Sequence, residues 1–368
     1  MTKPIDSTLR LVAWEITRRC NLSCQHCRAS AEDHFYEGEL SHAQGITLLD
    51  QIREVGQPII ILTGGEPMLR EDVYDLAEYG NRIGLRMVMA PNGTLITPES
   101  AKKMLAAGIK RISVSIDGPD AATHDAIRRQ PGAFERSVNG LRIAKEHGID
   151  FQLNTTVSVE NYTMIGAIHD LAIALGAVAH HVFLLVPTGR AHLMEGQEIT
   201  GEDYENLLVW LHEKAKDSPI QIKPTCAPHY MRISRQRGGP AQPAAAHGHA
   251  HAHPGAGHPG GGHPGGLHSM TRGCLGGTGF CFISHTGIVS PCGYLEIDCG
   301  NVNEKHFKDI WENSPQFLRL RNPDELTGKC AVCEFVRVCG GCRARAYAAT
   351  GEYMAEEPNC IYIPRPCR

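Results

Sequence analysis

Short apolar runs and amphipathic stretches alternate along the first half of the chain, from residue 9 to about residue 187. The apolar runs predict strands at residues 9–17, 59–65, 86–92, 111–117, 151–157 and 181–187. Near-continuous apolar strands that are separated by helices are typical of a parallel sheet covered by helices. The pattern therefore predicts an α/β fold built from six βα units.

The pattern changes after a further predicted helix at residues 199–217. From about residue 237 to 267 the chain is Gly, Pro, Ala and His, a composition that cannot bury enough apolar area to offset its ordering entropy. We interpret this segment as a disordered, solvated spacer rather than a metal site, although it contains His247, His249, His251, His253, His258, His263 and His268. The predicted organisation is an α/β domain at 1–220, a connector with this linker at 221–270, and a C-terminal domain at 271–368.

The overall composition limits the partners of the chain. It has 368 residues and a formal net charge of -4, and 21% of its residues are charged, which favours neither a nucleic acid nor a membrane surface as partner. The N-terminal residues lack the apolar core of a secretion signal, and no stretch approaches the roughly 20 apolar residues of a membrane span. We therefore expect a cytoplasmic protein.

Fourteen cysteines in a chain without a secretion signal indicate metal or redox centres rather than a disulfide framework. The first three, Cys20, Cys24 and Cys27, follow the first predicted strand in the sequence CNLSCQHC. Iron–sulfur clusters usually take four Cys thiolates, so three on one loop predict a cluster with one iron site left open. Structural thiols or part of a zinc site are the alternatives.

Two further motifs follow predicted strands, where the reactive groups of parallel α/β folds gather. They are GGEP at residues 64–67 and SIDG at residues 115–118. Together with CxxxCxxC on a repeated βα pattern, they make the first 190 residues resemble the radical SAM superfamily. The resemblance implies a partial (β/α)6 TIM-like barrel. It also implies that Cys20, Cys24 and Cys27 ligate a [4Fe-4S] cluster whose open iron binds S-adenosyl-L-methionine, the source of a 5′-deoxyadenosyl radical.

The resemblance also implies contacts to S-adenosylmethionine. Gly64, Gly65 and Glu66 resemble the family's motif that receives the methionine amino group, a role that suits glycine because it allows close backbone approach. The other contacts that it implies are Asn92, Ser115, Asp117, Arg128 and Asn154. For Asp117 the alternative is ordinary turn chemistry with Gly118, and for Arg128 it is a surface position on a helix. His26 stands where the family usually has an aromatic residue beside the adenine.

The C-terminal region holds ten of the cysteines and resembles a SPASM domain, the extension that carries auxiliary iron–sulfur clusters. By position, the resemblance assigns the first of two auxiliary [4Fe-4S] clusters to Cys274, Cys281, Cys292 and Cys342, and the second to Cys330, Cys333, Cys339 and Cys360. The CGGC that ends in Cys342 has two intervening residues where the family usually has three. Cys226 and Cys367 are then interpreted as small buried residues, and Cys299 as a substitute ligand. One or two zinc sites are the alternative for the region.

Five segments make the chain resemble the radical SAM heme synthases of the siroheme-dependent pathway: LRLVAWEITRRCNLSCQHCRAS, LRMVMAPNGTL, HHVFLLVPTGR, TRGCLGGTGFCFISHTG and CGGCRARAYAATGEYMAEEPNC. The resemblance implies oxidative decarboxylation of two propionates of iron-coproporphyrin III to vinyl groups, with an electron donor such as ferredoxin or flavodoxin. Arginine suits the binding of propionates, and the candidates are Arg190, Arg272, Arg343 and Arg345. His180 and His181 are further candidates, because one of them could face the substrate. The alternative is that both are packed or hydrogen-bonded within the protein.

Three alternatives to this function remain at the level of sequence. A sister enzyme of the same build removes acetate groups from 12,18-didecarboxysiroheme. A peptide-modifying SPASM enzyme uses the same two modules, although such enzymes often carry a leader-binding domain for which residues 1–8 leave no room. The third alternative is an electron carrier or a zinc-stabilised binding protein. Such a protein would not need the GGEP motif or the polar residues at the strand ends.

Overall fold

The computed structural model describes residues 5–194, 196–239 and 272–365. Within these ranges nine strands form one sheet in the order β7-β6-β5-β4-β3-β2-β1-β8-β9. The strands are β1 Leu11–Thr17, β2 Ile59–Gly64, β3 Arg86–Met89, β4 Arg111–Ser115, β5 Asp150–Val157, β6 Ala179–Leu184, β7 Gln221–Thr225, β8 Phe280–Ile283 and β9 Val289–Ser290. The predicted α/β fold and its six strands are confirmed. Strands β1 to β8 are parallel to one another, and β9 is antiparallel to β8.

Helices follow most strands and cover one face of the sheet. They are α1 His42–Val55, α2 Val73–Arg82, α3 Pro98–Ala106, α4 Ala121–Arg128, α5 Ala133–Glu146, α6 Ile165–Leu175, α7 Gly201–Asp217, α8 His229–Gln236, α9 Phe307–Asn313, α10 Pro315–Leu320, α11 Gly328–Ala331 and α12 Arg343–Thr350. Ser41 begins α1 with a capping box. Of the helices in the described ranges, none is long and apolar enough to cross a membrane.

The two faces of each central strand differ in their surroundings. Val12, Trp14 and Ile16 of β1 are fully buried in the main hydrophobic core beneath the helices. Leu11 and Ala13, which alternate with them, border a cavity on the other face of the sheet. This period of two follows from strand geometry and repeats in β2 to β7, so every second residue of these strands contributes to the cavity wall.

The sheet extends beyond the six predicted units at both ends. Residues 221–236 were expected to be a connector, but they form β7, which pairs with β6, and α8. At the other end β8 of the C-terminal domain pairs with β1, with Leu11 opposite Phe280. The C-terminal domain is therefore joined to the barrel by backbone hydrogen bonds. The predicted linker from residue 240 onward and Cys367 lie outside the described residues.

Candidate active site and cysteine clusters

A cavity of about 530 Å³ lies on the inner face of the sheet. Residues of β1 to β7 form its wall, and the C-terminal domain closes it with β8 and the loops around Cys274 and Cys292. Its volume falls within the roughly 300–1,000 Å³ typical of ligand sites. Because β1 to β7 are parallel, the loops that follow them meet at one end of this cavity.

Cys20, Cys24 and Cys27 lie together at this end, on the loop after β1, and all three border the cavity. Each sulfur accepts one hydrogen bond, from Leu22 N at 3.4 Å, Arg128 Nη1 at 3.5 Å and Ala31 N at 3.4 Å, respectively. Burial raises the pKa of the Cys20 thiol to about 12, so a thiolate here requires a bound cation. Three converging sulfurs with donors fit a [4Fe-4S] cluster, whose sulfurs are stabilised by such bonds.

Arg128 is buried against the cysteine loop rather than exposed on the surface of α4. Its Nη2 lies 2.5 Å from Asp117 Oδ2, and Asp117 is fully buried. Although burial raises the pKa of this carboxyl, Arg128 and His26 hold it below its usual value. His26 Nε2 is 3.5 Å from the same oxygen, and burial lowers the pKa of His26 to about 4, so its ring is neutral at pH 7. Arg128 and His26 border the cavity, and fully buried Asp117 orients them.

Gly64 and Gly65 end β2 against the cysteine loop. A Cβ on Gly64 would lie 2.1 Å from Thr17 O, and one on Gly65 would lie 2.3 Å from Arg19 O. No side chain fits at either position, and both glycines border the cavity with their backbones. Glu66 is fully buried and accepts hydrogen bonds from Asn92 N at 2.6 Å and Met68 N at 3.0 Å. Burial raises its pKa to about 7.

Asn92, Ser115 and Asn154 border the same end of the cavity. Asn92 Nδ2 donates to Asn21 Oδ1 at 2.7 Å, which ties the end of β3 to the cysteine loop. Ser115 and Asn154 are opposite each other in the register of β4 and β5. The structure thus brings every predicted contact to S-adenosylmethionine to one end of the sheet, with Glu66 and Asp117 behind the cavity wall.

The first C-terminal group of cysteines differs from the predicted one in one member. Cys274, Cys292 and Cys342 border the cavity, and the fourth cysteine beside them is Cys226. Cys281 is fully buried in β8, opposite Val12 of β1, within the main hydrophobic core. Its neighbouring thiol is Cys299, so neither Cys281 nor Cys299 reaches the cavity.

Backbone geometry explains the position of Cys226. It follows β7 and has a φ of 55°, in the left-handed region that residues other than glycine rarely adopt. This turn directs the chain from β7 into α8 and leaves the cysteine facing the C-terminal domain. Such outliers persist where the surrounding structure enforces them, and they cluster at functional sites.

The second group contains the four predicted cysteines. Cys330, Cys333, Cys339 and Cys360 line one small cavity. Gly341 N donates to Cys339 Sγ at 3.4 Å, and Arg343 Nη2 to Cys330 Sγ at 3.9 Å. Across the described ranges, no three or more His, Cys, Asp or Glu side chains are arranged to hold a single metal ion. Both groups are sets of thiols that share a cavity, not closed tetrahedral sites.

A buried charge network separates the two groups. Arg345 donates to Glu357 Oε1 at 3.0 Å and to the carbonyl oxygen of Cys226 at 3.4 Å, and the other Glu357 oxygen lies 2.5 Å from His229 Nε2. Burial works against both charges, but their pairing lowers the pKa of Glu357 to about 2 and raises that of His229 to about 9. No sequence motif indicates His229 or Glu357, because their pairing depends on contacts between α8 and the C-terminal loops.

The four arginines that were candidates for binding propionates have protein partners. Arg190 donates to Cys24 O and Ala31 O, both at 2.8 Å, and so fastens the cysteine loop. Arg272 donates to Arg337 O at 3.1 Å, and Arg343 to Ala355 O at 2.6 Å. Together with Arg345, they stabilise backbone turns around the cysteines.

The two candidate histidines point to opposite faces of β6. His180 is fully buried, within 2.9 Å of Thr155 Oγ1, and burial lowers its pKa to about 3. His181 borders the cavity, with Nδ1 2.9 Å from Gln152 Nε2. Three cations that sequence reasoning missed border the same region, Arg86, Arg111 and Lys223. Strand alternation could have found Arg111, because it shares a face with Ser115.

Comparisons with known proteins agree with this architecture. Residues 14–172 match the radical SAM superfamily, and residues 274–334 match the iron–sulfur cluster-binding SPASM domain. A curated AdoMet-dependent heme synthase of Nitratidesulfovibrio vulgaris is 52% identical over 98% of this chain and 95% of its own length. An Fe-coproporphyrin III synthase of Methanosarcina barkeri is 32% identical over 95% of this chain and 87% of its own length.

Solved structures show the same fold. The crystal structure of Streptococcus suis SuiB bound to its precursor peptide SuiA has a TM-score of 0.74 at 16% identity, and covers 97% of this chain and 77% of that one. The radical SAM domain implies S-adenosylmethionine and a [4Fe-4S] cluster, and the SPASM domain implies auxiliary iron–sulfur clusters. The chain is thus a radical SAM enzyme with a SPASM domain, and it belongs to the AdoMet-dependent heme synthase family.

Proposed function

We propose that this enzyme converts two propionates of iron-coproporphyrin III to vinyl groups by oxidative decarboxylation and so forms heme b. The observation that carries the proposal is the single cavity that is bordered by both the radical SAM cysteines and the first C-terminal group. Each propionate loses carbon dioxide, one hydrogen atom and one electron, so this reaction needs a hydrogen acceptor and an electron acceptor near one substrate. The relative at 52% identity, a heme synthase, supports the same reaction.

We propose three cluster sites for these roles. Cys20, Cys24 and Cys27 would hold the first cluster, whose open iron binds S-adenosylmethionine. A first auxiliary cluster would be held by Cys226, Cys274, Cys292 and Cys342, and a second by Cys330, Cys333, Cys339 and Cys360. When bound, these groups supply one-electron reduction, hydrogen-atom abstraction and an acceptor for the surplus electron.

The remaining residues of the site would position S-adenosylmethionine. The backbones of Gly64 and Gly65 leave room for its amino group, and His26, Asn92, Ser115 and Asn154 border the volume for its other polar groups. Arg128 places a positive charge 3.5 Å from the Cys24 sulfur, which stabilises a reduced cluster. Ferredoxin or flavodoxin is the class of electron donor that we expect.

The walls between the two ends suit a planar apolar macrocycle. The side chains that border the cavity there are mostly aliphatic or aromatic and include Leu11, Ile61, Val88, Phe280 and Phe282. Burying such surface favours a tetrapyrrole over a polar peptide segment. The second candidate function is removal of acetate groups from 12,18-didecarboxysiroheme, and the Fe-coproporphyrin III synthase relative supports it at 32% identity. The heme synthase relative supports heme formation more strongly, at 52% identity.

The test uses anaerobically reconstituted enzyme with S-adenosylmethionine, a reductant and iron-coproporphyrin III, and Cys24→Ala as the matched control. We expect 5′-deoxyadenosine together with a porphyrin that has lost one carbon dioxide and two hydrogen atoms per propionate. Wild-type enzyme that forms no 5′-deoxyadenosine would rule out the radical reaction. Formation of 5′-deoxyadenosine without a mass change in this porphyrin, but with loss of acetate groups from didecarboxysiroheme, would support the second candidate.

A further inference from the structure

The end of the cavity that lies opposite the radical SAM cysteines carries a cluster of cations. Arg86 is the first residue of β3, Arg111 is the first of β4, and Lys223 lies in β7, and all three border the cavity. In the part of the chain that the structure describes, none of them has a carboxylate within ion-pair distance. Arg111 has one hydrogen bond to a side chain, from Nη2 to Gln152 Oε1 at 2.9 Å.

These cations repel one another. The pKa of Arg111 is lowered by burial and by Arg86, and that of Lys223 is lowered by burial and by Arg111. Asp150, exposed at the start of β5, is the acid that acts on Arg111, and it lies outside ion-pair distance. Buried cations are usually paired. Arg111 and Lys223 are partly buried and Arg86 is exposed. Three cations that border one cavity without a carboxylate partner are therefore suited to an anionic ligand.

The position of the group fits a ligand that spans the cavity. Arg111 and Ser115 lie on the same face of β4 and are four residues apart, which is about 13 Å at 3.3 Å per residue. Ser115 borders the end where the cysteines lie, so Arg111 marks the far end. His181 and Gln152 add neutral hydrogen-bonding groups beside the cations, with 2.9 Å between them.

We propose that Arg86, Arg111 and Lys223 bind the carboxylates of the two propionates that the reaction leaves intact. This inference rests on the proposed function. Heme b keeps two propionates side by side on the edge opposite its vinyl groups, so a macrocycle with its reacting edge at the radical SAM cysteines directs the other two carboxylates to the far end. Two arginine forks and a lysine ammonium can pair with two carboxylates, and the planar forks suit the carboxylate geometry. The same contacts keep these propionates away from the reacting atoms.

The anion could instead be the methionine carboxylate of S-adenosylmethionine, so the test separates the two sources. Reconstituted enzyme is titrated without reductant with iron-coproporphyrin III, with its tetramethyl ester and with S-adenosylmethionine. The variants are Arg111→Gln, Lys223→Gln and the double variant. The control is Arg142→Gln, which removes an exposed cation of α5 outside the cavity.

Removing one charged partner should weaken binding of the acid by about tenfold or more. We expect the double variant to lose more affinity than either single variant, and Arg142→Gln to bind as wild type does. The ester should bind wild type and variants equally weakly, because it presents no carboxylate. Affinity for S-adenosylmethionine should not change, and iron content and thermal midpoint verify that the variants fold.

Three results would overturn the inference. Variants that bind the acid as tightly as wild type does would show that the cations do not bind the porphyrin. Variants that lose affinity for S-adenosylmethionine instead of porphyrin would show that the cations bind the methionine carboxylate. Wild-type enzyme that binds the ester and the acid equally tightly would show that the site does not recognise the propionate carboxylates. Failure of the proposed function is a separate result, in which wild type binds the acid through these cations but forms no vinyl product.

Discussion

The two ends of the cavity differ in how their charges are balanced. At the radical SAM cysteines, Arg128 pairs with buried Asp117, and Arg28 pairs with buried Glu15 while stacking on the Phe282 ring at 4.4 Å. At the far end, Arg86, Arg111 and Lys223 have no such partner in the described part of the chain. Balanced charges at the first end fix the shape of the site, whereas unbalanced ones at the second end provide binding energy to a ligand.

This difference teaches how to interpret a basic residue beside a cavity. A guanidinium that already donates to carboxylates or carbonyl oxygens, as Arg345 does, stabilises the fold and has few donors left for a ligand. Its substitution should lower the free energy of unfolding, because a buried partner is left unpaired. Substituting Arg111 should leave stability nearly unchanged and weaken porphyrin binding.

The largest effect should come from Cys24→Ala at the cysteine end. Without the Cys24 thiolate the radical SAM cluster loses one of its three protein ligands, so 5′-deoxyadenosine formation should fall to background. Affinity for iron-coproporphyrin III should remain, because the cations at the far end are intact. Chromatography of the nucleoside products and a porphyrin titration on the same sample measure both effects. Loss of porphyrin affinity in this variant would contradict the separation of the two ends.

Cys226→Ala should remove the first auxiliary cluster and leave the other two. We expect iron content to fall by about a third, from about twelve to about eight per chain, if all three clusters are four-iron centres. Cys281→Ala is the matched control, since it also deletes one sulfur but lies in the hydrophobic core of β8. Iron and sulfide analysis of the two variants decides the assignment. Iron loss from Cys281→Ala with full retention in Cys226→Ala would restore the set that the sequence predicted.

Asp117→Asn should destabilise the cysteine end without changing its ligands. It leaves Arg128 buried without a counter-charge, which costs about 3–5 kcal/mol in free energy of unfolding. Asp120→Asn, three residues away, is the control, because Asp120 is exposed and its cap on Thr123 N at 2.9 Å is one that asparagine also makes. Anaerobic thermal unfolding of both variants measures the difference. Equal midpoints would mean that the pair contributes nothing.

The two cysteine groups of the C-terminal domain explain how far the sequence can predict the site. Cys330, Cys333 and Cys339 are close in sequence, and a single turn region brings them together. Their spacing alone therefore predicts that they form one group. In the first group, Cys226 and Cys274 are separated by 47 residues. Their approach depends on β7 pairing with β6 and on the left-handed turn at Cys226, which no spacing reveals.

The burial of Cys281 in the core has a different cause. Residues 280–283 read FCFI, an apolar run that is typical of a buried parallel strand. Its position in the SPASM resemblance implied a cluster ligand, but pairing of β8 with β1 buries the side chain in the core. The six strands of the barrel were predictable because their apolar runs are long and regular. The partners of the arginines were not, because backbone carbonyl oxygens leave no pattern in the sequence.

The smallest effect concerns Glu66, whose pKa burial raises to about 7. The folded protein then binds more protons than the unfolded chain between about pH 4.5 and 7, so this group's contribution to stability falls as pH rises through that window, by about 3 kcal/mol. Glu66→Gln does not ionise, and its one amide oxygen accepts one of the two hydrogen bonds that Asn92 N and Met68 N donate to the two carboxylate oxygens, at every pH. Its thermal midpoint relative to wild type should therefore rise from pH 5 to pH 8.

Glu78→Gln, on the exposed face of α2, is the control for this pH dependence and should show a constant difference from wild type. A constant difference for Glu66→Gln as well would mean that Glu66 is ionised in the folded protein at all these pH values. In that case the cysteine end would hold an unpaired buried anion and would no longer be the balanced end of the cavity. The contrast with Arg86, Arg111 and Lys223 would then be one of sign, an unpaired anion at one end and unpaired cations at the other.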